Sequence, residues 1–455
     1  MSPNVYKQSN ELLLLVVGYG SLKRLNIFKQ LHQLIQQQRQ TITLLCLHEE
    51  IATWLYPSLI QHWIVVPHFQ STTPYESVSA IQKYLSEYFP HHKEQPNAIL
   101  TFDEDCVVLT NFLSFHYHLP TTCSTMEQIM NVKDKYKLRQ YCQQWNEQHS
   151  PVESIPVPFF TQTQSTSRET QQQFKMHPHL RNNPNRKFIM KPRVGAGKCF
   201  ISKINSLTEW DLIFSTATSS MKKNLFIEEY FDGNEIDVDL ILQHGEIKFL
   251  SISDNNCPLN DTFMQETGSC IPSRLPLDIQ YRTLEIVKHL IKCFDLQNGC
   301  LHLEAKCSKE LTMPIEINMR LGGAETCVMV QQCYRINLIE LILNVALQIP
   351  ITGNSCDDIG DMIVRPFDQY LASINFHSLE NGLVKSIDVD KSLYQEKRMK
   401  ELVIFKQGGD TITVPPMGFD SCYGWLVVSS NESQDDAENY LEILAPKIRL
   451  HLENL

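Results

Sequence analysis

A chain of 455 residues, 42% hydrophobic and 20% charged, has the balance of a folded globular protein, not of a disordered or fibrous one. Its length suggests about three domains. A net charge of −11 argues against wholesale nucleic-acid binding and requires any anionic ligand to be held by a local group of basic side chains.

The opening run LLLLVV is too short to span a bilayer and no small-residue cleavage site follows it, so it reads as a buried parallel strand entering the Gly18-Tyr19-Gly20 turn. That turn is not a dinucleotide fingerprint, because Lys23 occupies the third glycine place; it reads as a tight structural turn. LNIFKQLHQLIQQQ has helical spacing, TITLLCL and HWIVVPHF read as strands, YESVSAIQKYLSEYF as a helix and AILTFDED as a further strand. This alternation predicts an open, mainly parallel sheet over residues 1–125.

MEQIMNVKDKYKLRQYCQQW reads as one helical stretch, broken near Asn131. The segment from 161 to 187 is polar, glutamine-rich and aperiodic, an expected surface loop. Strands follow in KFIMKP, KCFISKI, NLFIEEYF, EIDVDLILQ and EIKFLSISD, then an amphipathic helix in RTLEIVKHLIKCFD and strands in CLHLEAKC and MPIEINMR. LIELILNVAL is another helix. From about residue 351, MIVRPFDQYL, GLVKSIDV, MKELVIFK and YGWLVVSS read as strands and ESQDDAENYLEILAPKIRLHL as a final helix. The 14 cysteines include no C-x-x-C pair, and the seven-residue spacing of Cys293, Cys300 and Cys307 lacks a second cluster to complete a zinc set. Reduced, packed thiols in a cytoplasmic protein are expected.

Chemistry concentrates in four places. Strand residues two apart share a face, so Glu316 pairs with Asn318 and His302 with Glu304. If the two strands are neighbours, Glu304, Glu316 and Asn318 form an all-oxygen set suited to Mg²⁺; the alternative is that both acids pair with Lys306 or Arg320. In KFIMKPRVGAGK, Lys191 precedes a glycine-rich turn whose N–H groups could approach phosphate. It departs from the P-loop pattern at Pro192 and Cys199, and alone it reads first as a hairpin. Glu228 and Glu235 bracket a connector between two strands. In TFDED, Glu104 is either a contact for an amine or a helix cap.

Taken in order, KDKYKLR, the GAGK turn, EEYFDGNE, HLEAK and IEINMRLGG resemble the ATP-grasp superfamily of carboxylate–amine ligases. The tail is similar to that of the L-amino-acid ligase and carnosine synthase branch. The resemblance implies an α/β, ATP-grasp architecture: an N-terminal open parallel α/β domain (1–125), a two-subdomain α+β nucleotide- and metal-binding region (126–350, its small subdomain about 133–230), and a small C-terminal α+β module (351–455). It implies that Lys135, Lys191, Gly195, Gly197 and Lys198 hold ATP phosphates, that Glu228 and the backbone near Tyr230 face the adenine, and that Glu235 faces the ribose. Glu304, Glu316 and Asn318 would hold Mg²⁺, with Mn²⁺ as the alternative ion, and Arg320 would act with Lys191 on the transferred phosphoryl group. Glu266, Gly268, Ser269, His302, Gly323 and Glu325 are the implied substrate contacts. Ser269 stands where the branch carries histidine, and Glu325 either reads the substrate or sits on a solvated helix start.

The expected reaction activates a carboxylate, of an amino acid by this resemblance, as an acyl phosphate and joins it to an amine, releasing ADP and phosphate. Charge neutralisation and positioning suffice for such phosphoryl transfer, in keeping with the lack of a G-x-S-x-G or H-E-x-x-H motif. The expected partners are small carboxylate and amine molecules, amino acids or a short peptide, with no nucleic acid and no membrane; the resemblance allows a homodimer. Two alternatives stand beside this: an ATP-grasp carboxylase or purine-pathway ligase, and a nucleotide-binding regulatory protein without catalysis.

Overall fold

The computed structural model describes residues 11–67, 69, 73–92, 94–162, 187–195, 201–204, 222, 224–258, 265–352, 359–414, 418 and 420–453. The opening apolar run becomes β1 (Leu12–Val17), with Leu13 to Val17 buried, as a strand covered on both faces requires. Helix α1 (Leu25–Gln37) buries Ile27, Phe28, Leu31 and Ile35, the stripe its spacing predicts. With β2 (Ile42–His48), β3 (His62–Val65), α2 (Pro74–Tyr88) and β4 (Ala98–Leu100), the chain builds a parallel sheet in the order β3-β2-β1-β4. α2 opens on a reciprocal Thr73–Glu76 capping box. Residues 101–106 turn at the end of β4 into α3 (Val107–His116).

The helical stretch is broken, as expected, and the break lies at Asp134, three residues past Asn131. α4 (Met126–Lys133) keeps Asn131 buried within it, while the Asp134 carboxylate accepts the N–H groups of Tyr136 and Lys137 and opens α5 (Lys135–Gln148). A second sheet then runs β5-β8-β6-β7, all antiparallel, from β5 (Phe160–Gln162), β6 (Phe188–Pro192), β7 (Ser202–Ile204) and β8 (Leu225–Glu229).

Next come β9 (Asn234–Gln243), β10 (Glu246–Asn255), β11 (Ser269–Ile271), α6 (Leu277–Cys293), β12 (Gly299–Cys307), β13 (Thr312–Asn318), α7 (Ala324–Tyr334) and α8 (Leu338–Ala346). The tail supplies β14 (Tyr370–His377), β15 (Gly382–Val389), β16 (Met399–Ile404), β17 (Thr411–Ile412), β18 (Cys422–Ser430), α9 (Gln434–Leu444) and β19 (Ile448–Glu453). Eight of these strands form one sheet, ordered β13-β12-β9-β10-β11-β14-β18-β16. The boundary expected near residue 351 therefore does not interrupt the sheet, since β11 and β14 pair across it. Within the tail, MIVRPFDQYL is strand only from Tyr370. The final helix stops at Leu444: Pro446 cannot continue it, and Ile448, Leu450 and Leu452 alternate as a strand against β15.

α6 and α4 cover one face of the eight-stranded sheet, burying residues such as Leu240 and Leu301 from β9 and β12 beneath Leu290 and Ile129. α8 and α7 share the core of the opposite face with α1, so the parallel sheet and the large sheet meet through one apolar cluster. Each fully buried leucine or isoleucine in these layers contributes roughly 1.5–3 kcal/mol. Twelve described cysteines are free thiols, nine of them buried. Among the described residues no helix is long and apolar enough to cross a membrane.

Candidate active site

The register of three adjacent strands decides the site. β12 pairs with β13 so that Glu304 faces Glu316 and His302 faces Asn318, and with β9 so that Glu304 faces Asp237, His302 faces Asp239 and Lys306 faces Glu235. Directly opposed residues project from the same side of a sheet. One row thus carries three carboxylates, Asp237, Glu304 and Glu316, and the next carries Asp239, His302 and Asn318. Like charges directly opposite one another are destabilising, so the first row demands positive charge.

The protein supplies part of it from α5. Lys135, the first residue of that helix, forms an ion pair with Glu316. Asn318 Nδ2 also donates to Glu316 Oε1 at 3.0 Å. Burial opposes ionisation of both partners, yet each overcomes it for the other: Glu316 is held well below the usual carboxylate range and Lys135 is raised. Neither Lys306 nor Arg320 takes that part. Lys306 lies 3.7 Å from Glu235 and donates to the Tyr230 hydroxyl at 3.0 Å, and Arg320 Nε lies 2.6 Å from Glu104.

A second ion-pair set lies alongside. Lys191, at the end of β6 and 2% exposed, places its ammonium 2.5 Å from Glu228 Oε1. Arg139 donates to both oxygens of the same carboxylate, at 2.9 and 3.3 Å, and to the Ile315 carbonyl at 2.9 Å. Burial works against the Glu228 anion, but Arg139 and Lys191 outweigh it and hold its pKa below the usual value; burial in turn lowers that of Lys191. Arg139 follows Lys135 by one helical turn, so α5 delivers both cations from one face. Asp134 and Arg193 fix that helix start: the guanidinium spans the carboxylate (Nη2–Oδ2 2.5 Å), and the Lys135 N–H donates to the Arg193 carbonyl at 2.8 Å.

These groups line one cavity of about 220 Å³ between the small antiparallel sheet and the large one, with Tyr230, Glu235, Glu266, His302, Glu304, Asn318, Arg320 and Gly323. His302 Nδ1 lies 2.9 Å from Asp239; burial opposes its charge, but Asp237 and Asp239 raise its pKa to about 10. Gly322 allows this: a Cβ there would stand 2.6 Å from His302 Nδ1. A larger cavity, about 610 Å³, adjoins it and shares Arg24, Glu266, Arg320 and Gly323. Tyr19, Lys23, His48, Asp103, Glu104, Asp105, Glu325, His377, Phe405 and Trp425 also line it.

Several expectations need correction. Glu104 does not cap a helix: Asp103 does the capping, while Glu104, 8% exposed and paired with Lys133 and Arg320, lines the larger cavity. Glu325 does sit at a helix start, in the first turn of α7, but there it is half-buried and lines the larger cavity, and burial raises its pKa. Gly268 and Ser269 line neither cavity. Gly268, at φ +130°, passes so close to β14 that a Cβ would meet the Ser373 carbonyl oxygen at 2.1 Å, and the Ser269 N–H donates to Ser373 Oγ at 2.9 Å. The Tyr230 N–H is taken by the Lys187 carbonyl at 2.9 Å. Gly195 ends the described part of its turn and lines neither cavity, and Gly197 and Lys198 lie outside the described residues.

Four contributors went unread: Arg24, Arg139, Asp237 and Asp239. The acids in EIDVDLI were visible as a polar alternation inside an apolar strand, and Arg139 as the residue one turn beyond Lys135. Nothing local marks Arg24, which donates to the Gly322 carbonyl at 3.0 Å from 298 residues away in the chain.

The sequence pattern described as an ATP-grasp domain matches residues 185–328. The chain carries an ATP-grasp domain. Over 274 residues it is 26% identical to an L-arginine-specific L-amino acid ligase of Bacillus subtilis, a match covering 58% of this chain and 62% of that one. It is 34% identical over 99 residues to carnosine synthase 1 of Gallus gallus, covering 22% of this chain and 10% of the relative. These matches span less than two thirds of either relative. Among solved structures, the L-amino acid ligase from Bacillus licheniformis superposes with a TM-score of 0.75 at 17% identity, covering 97% of this chain and 99% of that one. Phosphoribosylglycinamide synthetase from Anaerococcus prevotii gives 0.64 at 15%, covering 97% and 100%. The ATP-grasp domain thus sits within a whole-chain ATP-grasp fold.

Proposed function

We propose that this chain is an ATP-dependent carboxylate–amine ligase that activates the carboxylate of an amino acid as an acyl phosphate and passes it to an amine, releasing ADP and phosphate. The observation that carries the reading is that Glu304 and Glu316, opposed across β12 and β13, line one cavity together with Lys135 and Lys191. A triphosphate needs cations on its oxygens, and the acid row needs cations of its own. One all-oxygen donor set answers both needs through a divalent ion. Glu304, Glu316 and Asn318 fit Mg²⁺ or Mn²⁺ by donor chemistry, and Glu235, Glu266 and Glu304 bring carboxylate oxygens within 4.8 Å of one another. Bound there, the ion would neutralise phosphate charge and polarise the group in transfer.

The side chains would divide the remaining work. Lys135 and Lys191 hold phosphate oxygens, and Glu228 keeps Lys191 aimed into the cleft. Arg320, braced by Glu104, faces the shared wall of the two cavities and steadies the acyl phosphate. The amine enters through the larger cavity, where five carboxylates (Asp103, Glu104, Asp105, Glu266 and Glu325) outnumber the three cations Lys23, Arg24 and Arg320. That surplus suits an ammonium group, and Glu266, lining both cavities, is the contact we assign to it. The expected setting is the cytoplasm, and a homodimer is the assembly that solution mass would test.

The test is purified protein with ATP, Mg²⁺ and pairs of amino acids, read by phosphate release and by mass spectrometry of the product. Release of ADP and phosphate that depends on an amine, with an amide product, is the expected result. AMP and pyrophosphate would rule out the acyl-phosphate route. Turnover with bicarbonate or a ribosylamine alone would favour the carboxylase or purine-type alternative, and ATP binding without turnover the regulatory one.

A further inference from the structure

Glu266 sits on a segment with no regular secondary structure of its own, residues 265–268, yet it lines both cavities. What holds it comes from the C-terminal strands. His377, in β14, lies 2.7 Å through Nε2 from the Glu266 carbonyl oxygen. A carbonyl can only accept, so Nε2 carries the proton and donates. The Ser421 hydroxyl, 2.9 Å from Nδ1, therefore donates to the ring, which burial keeps toward its neutral form. Ser421 is 1% exposed, and its oxygen accepts the Gln265 side-chain amide at 2.6 Å. The four groups close a ring in which each donor direction follows from the last: Gln265 to Ser421, Ser421 to His377, His377 to the Glu266 backbone.

We propose that His377 is a positioning residue for the amine substrate: through this ring it fixes the backbone at 265–266 and so aims the Glu266 carboxylate at the junction of the two cavities. The inference rests on the ligase reading for its kinetic consequence but not for its structural one. Among the described residues, backbone bonds tie down the next two positions, Asn375 N–H to the Thr267 carbonyl at 2.9 Å and Asn256 N–H to the Gly268 carbonyl at 2.9 Å, and the ring extends that hold to 265–266. A chain of hydrogen bonds pointing one way also strengthens each member.

The experiment compares His377→Ala, His377→Gln and Ser421→Ala in the full chain, with Glu266→Gln as reference. His377→Ala should raise the amine KM about tenfold or more while leaving the ATP KM within twofold. His377→Gln, which keeps an N–H donor, should recover most of that loss, and combining His377→Ala with Glu266→Gln should be no worse than Glu266→Gln alone. A purely structural histidine would move both KM values together and would gain nothing from glutamine. Hydrogen exchange of the peptide spanning 265–268 gives a reading independent of turnover: faster exchange in His377→Ala, restored in His377→Gln. If His377→Ala fails to fold, Ser421→Ala should show the same pattern at smaller size. Unchanged exchange in both variants, or additive effects with Glu266→Gln, would overturn the inference. Absence of amine-dependent phosphate release in wild type, with exchange behaving as expected, would instead overturn the ligase reading.

Discussion

The two cavities handle charge in opposite ways. In the smaller one the basic groups from α5 and β6 already hold a carboxylate: Lys135 with Glu316, Lys191 and Arg139 with Glu228. In the larger one the acids outnumber the bases, and burial drives the Glu325 carboxyl up despite its own N–H and the nearby Arg24. The difference is one of preorganisation. A site for a highly charged ligand cannot leave bare ions buried, so it stores them as pairs that ligand exchange can open. A site for a small amine can keep acids near solvent and let the ligand complete them.

Breaking the paired cavity should give the largest effects. Lys191→Ala should cut phosphate release about 10³-fold or more, since it removes charge aimed at the reacting end, while Glu228 keeps Arg139 and the fold survives. Circular dichroism melts beside the activity assay check this; a variant with more than a tenth of wild-type activity would refute the role. Next is Glu228→Gln, which leaves Arg139 and Lys191 buried without an anion and should destabilise the protein by about 3–5 kcal/mol at neutral pH, measured by urea denaturation.

That second variant also carries a pH signature. The folded pKa of Glu228 lies below its ordinary 4.5, so its stabilisation is fully present above that value and is lost as pH falls through the folded pKa. The gap in stability between wild type and Glu228→Gln should therefore be constant near neutrality and narrow only below about pH 4.5. A gap that narrowed toward alkaline pH would contradict the assignment. The smallest effect belongs to the larger cavity: Glu325→Gln should raise the amine KM about tenfold, or 1.4 kcal/mol, with the ATP KM unmoved. Equal shifts in both constants would mean that the two cavities are one site energetically.

Much of this was legible because it is local. The LLLLVV strand, the amphipathic stripe of α1 and the two-residue spacing of Glu316 and Asn318 follow from period and burial alone. Nearby partners were legible too, when β12 and β13 are joined by a short connection. Asp237 and Asp239 were not, because β9 reaches β12 across β10, β11 and α6, and nothing in either strand states their register. The same holds for Glu104 and Arg320, which meet across 216 residues. The late helix failed for a different reason: Ile448, Leu450 and Leu452 suit either period until β15 claims them as a strand.

The sequence by itself determined which segments would be strands and helices, and that acids and lysines sit on strands too apolar to leave them in water. Only tertiary structure decided which cation answers which acid. Pairing energy depends on separation and on exclusion of solvent, and both are created when distant strands come into register.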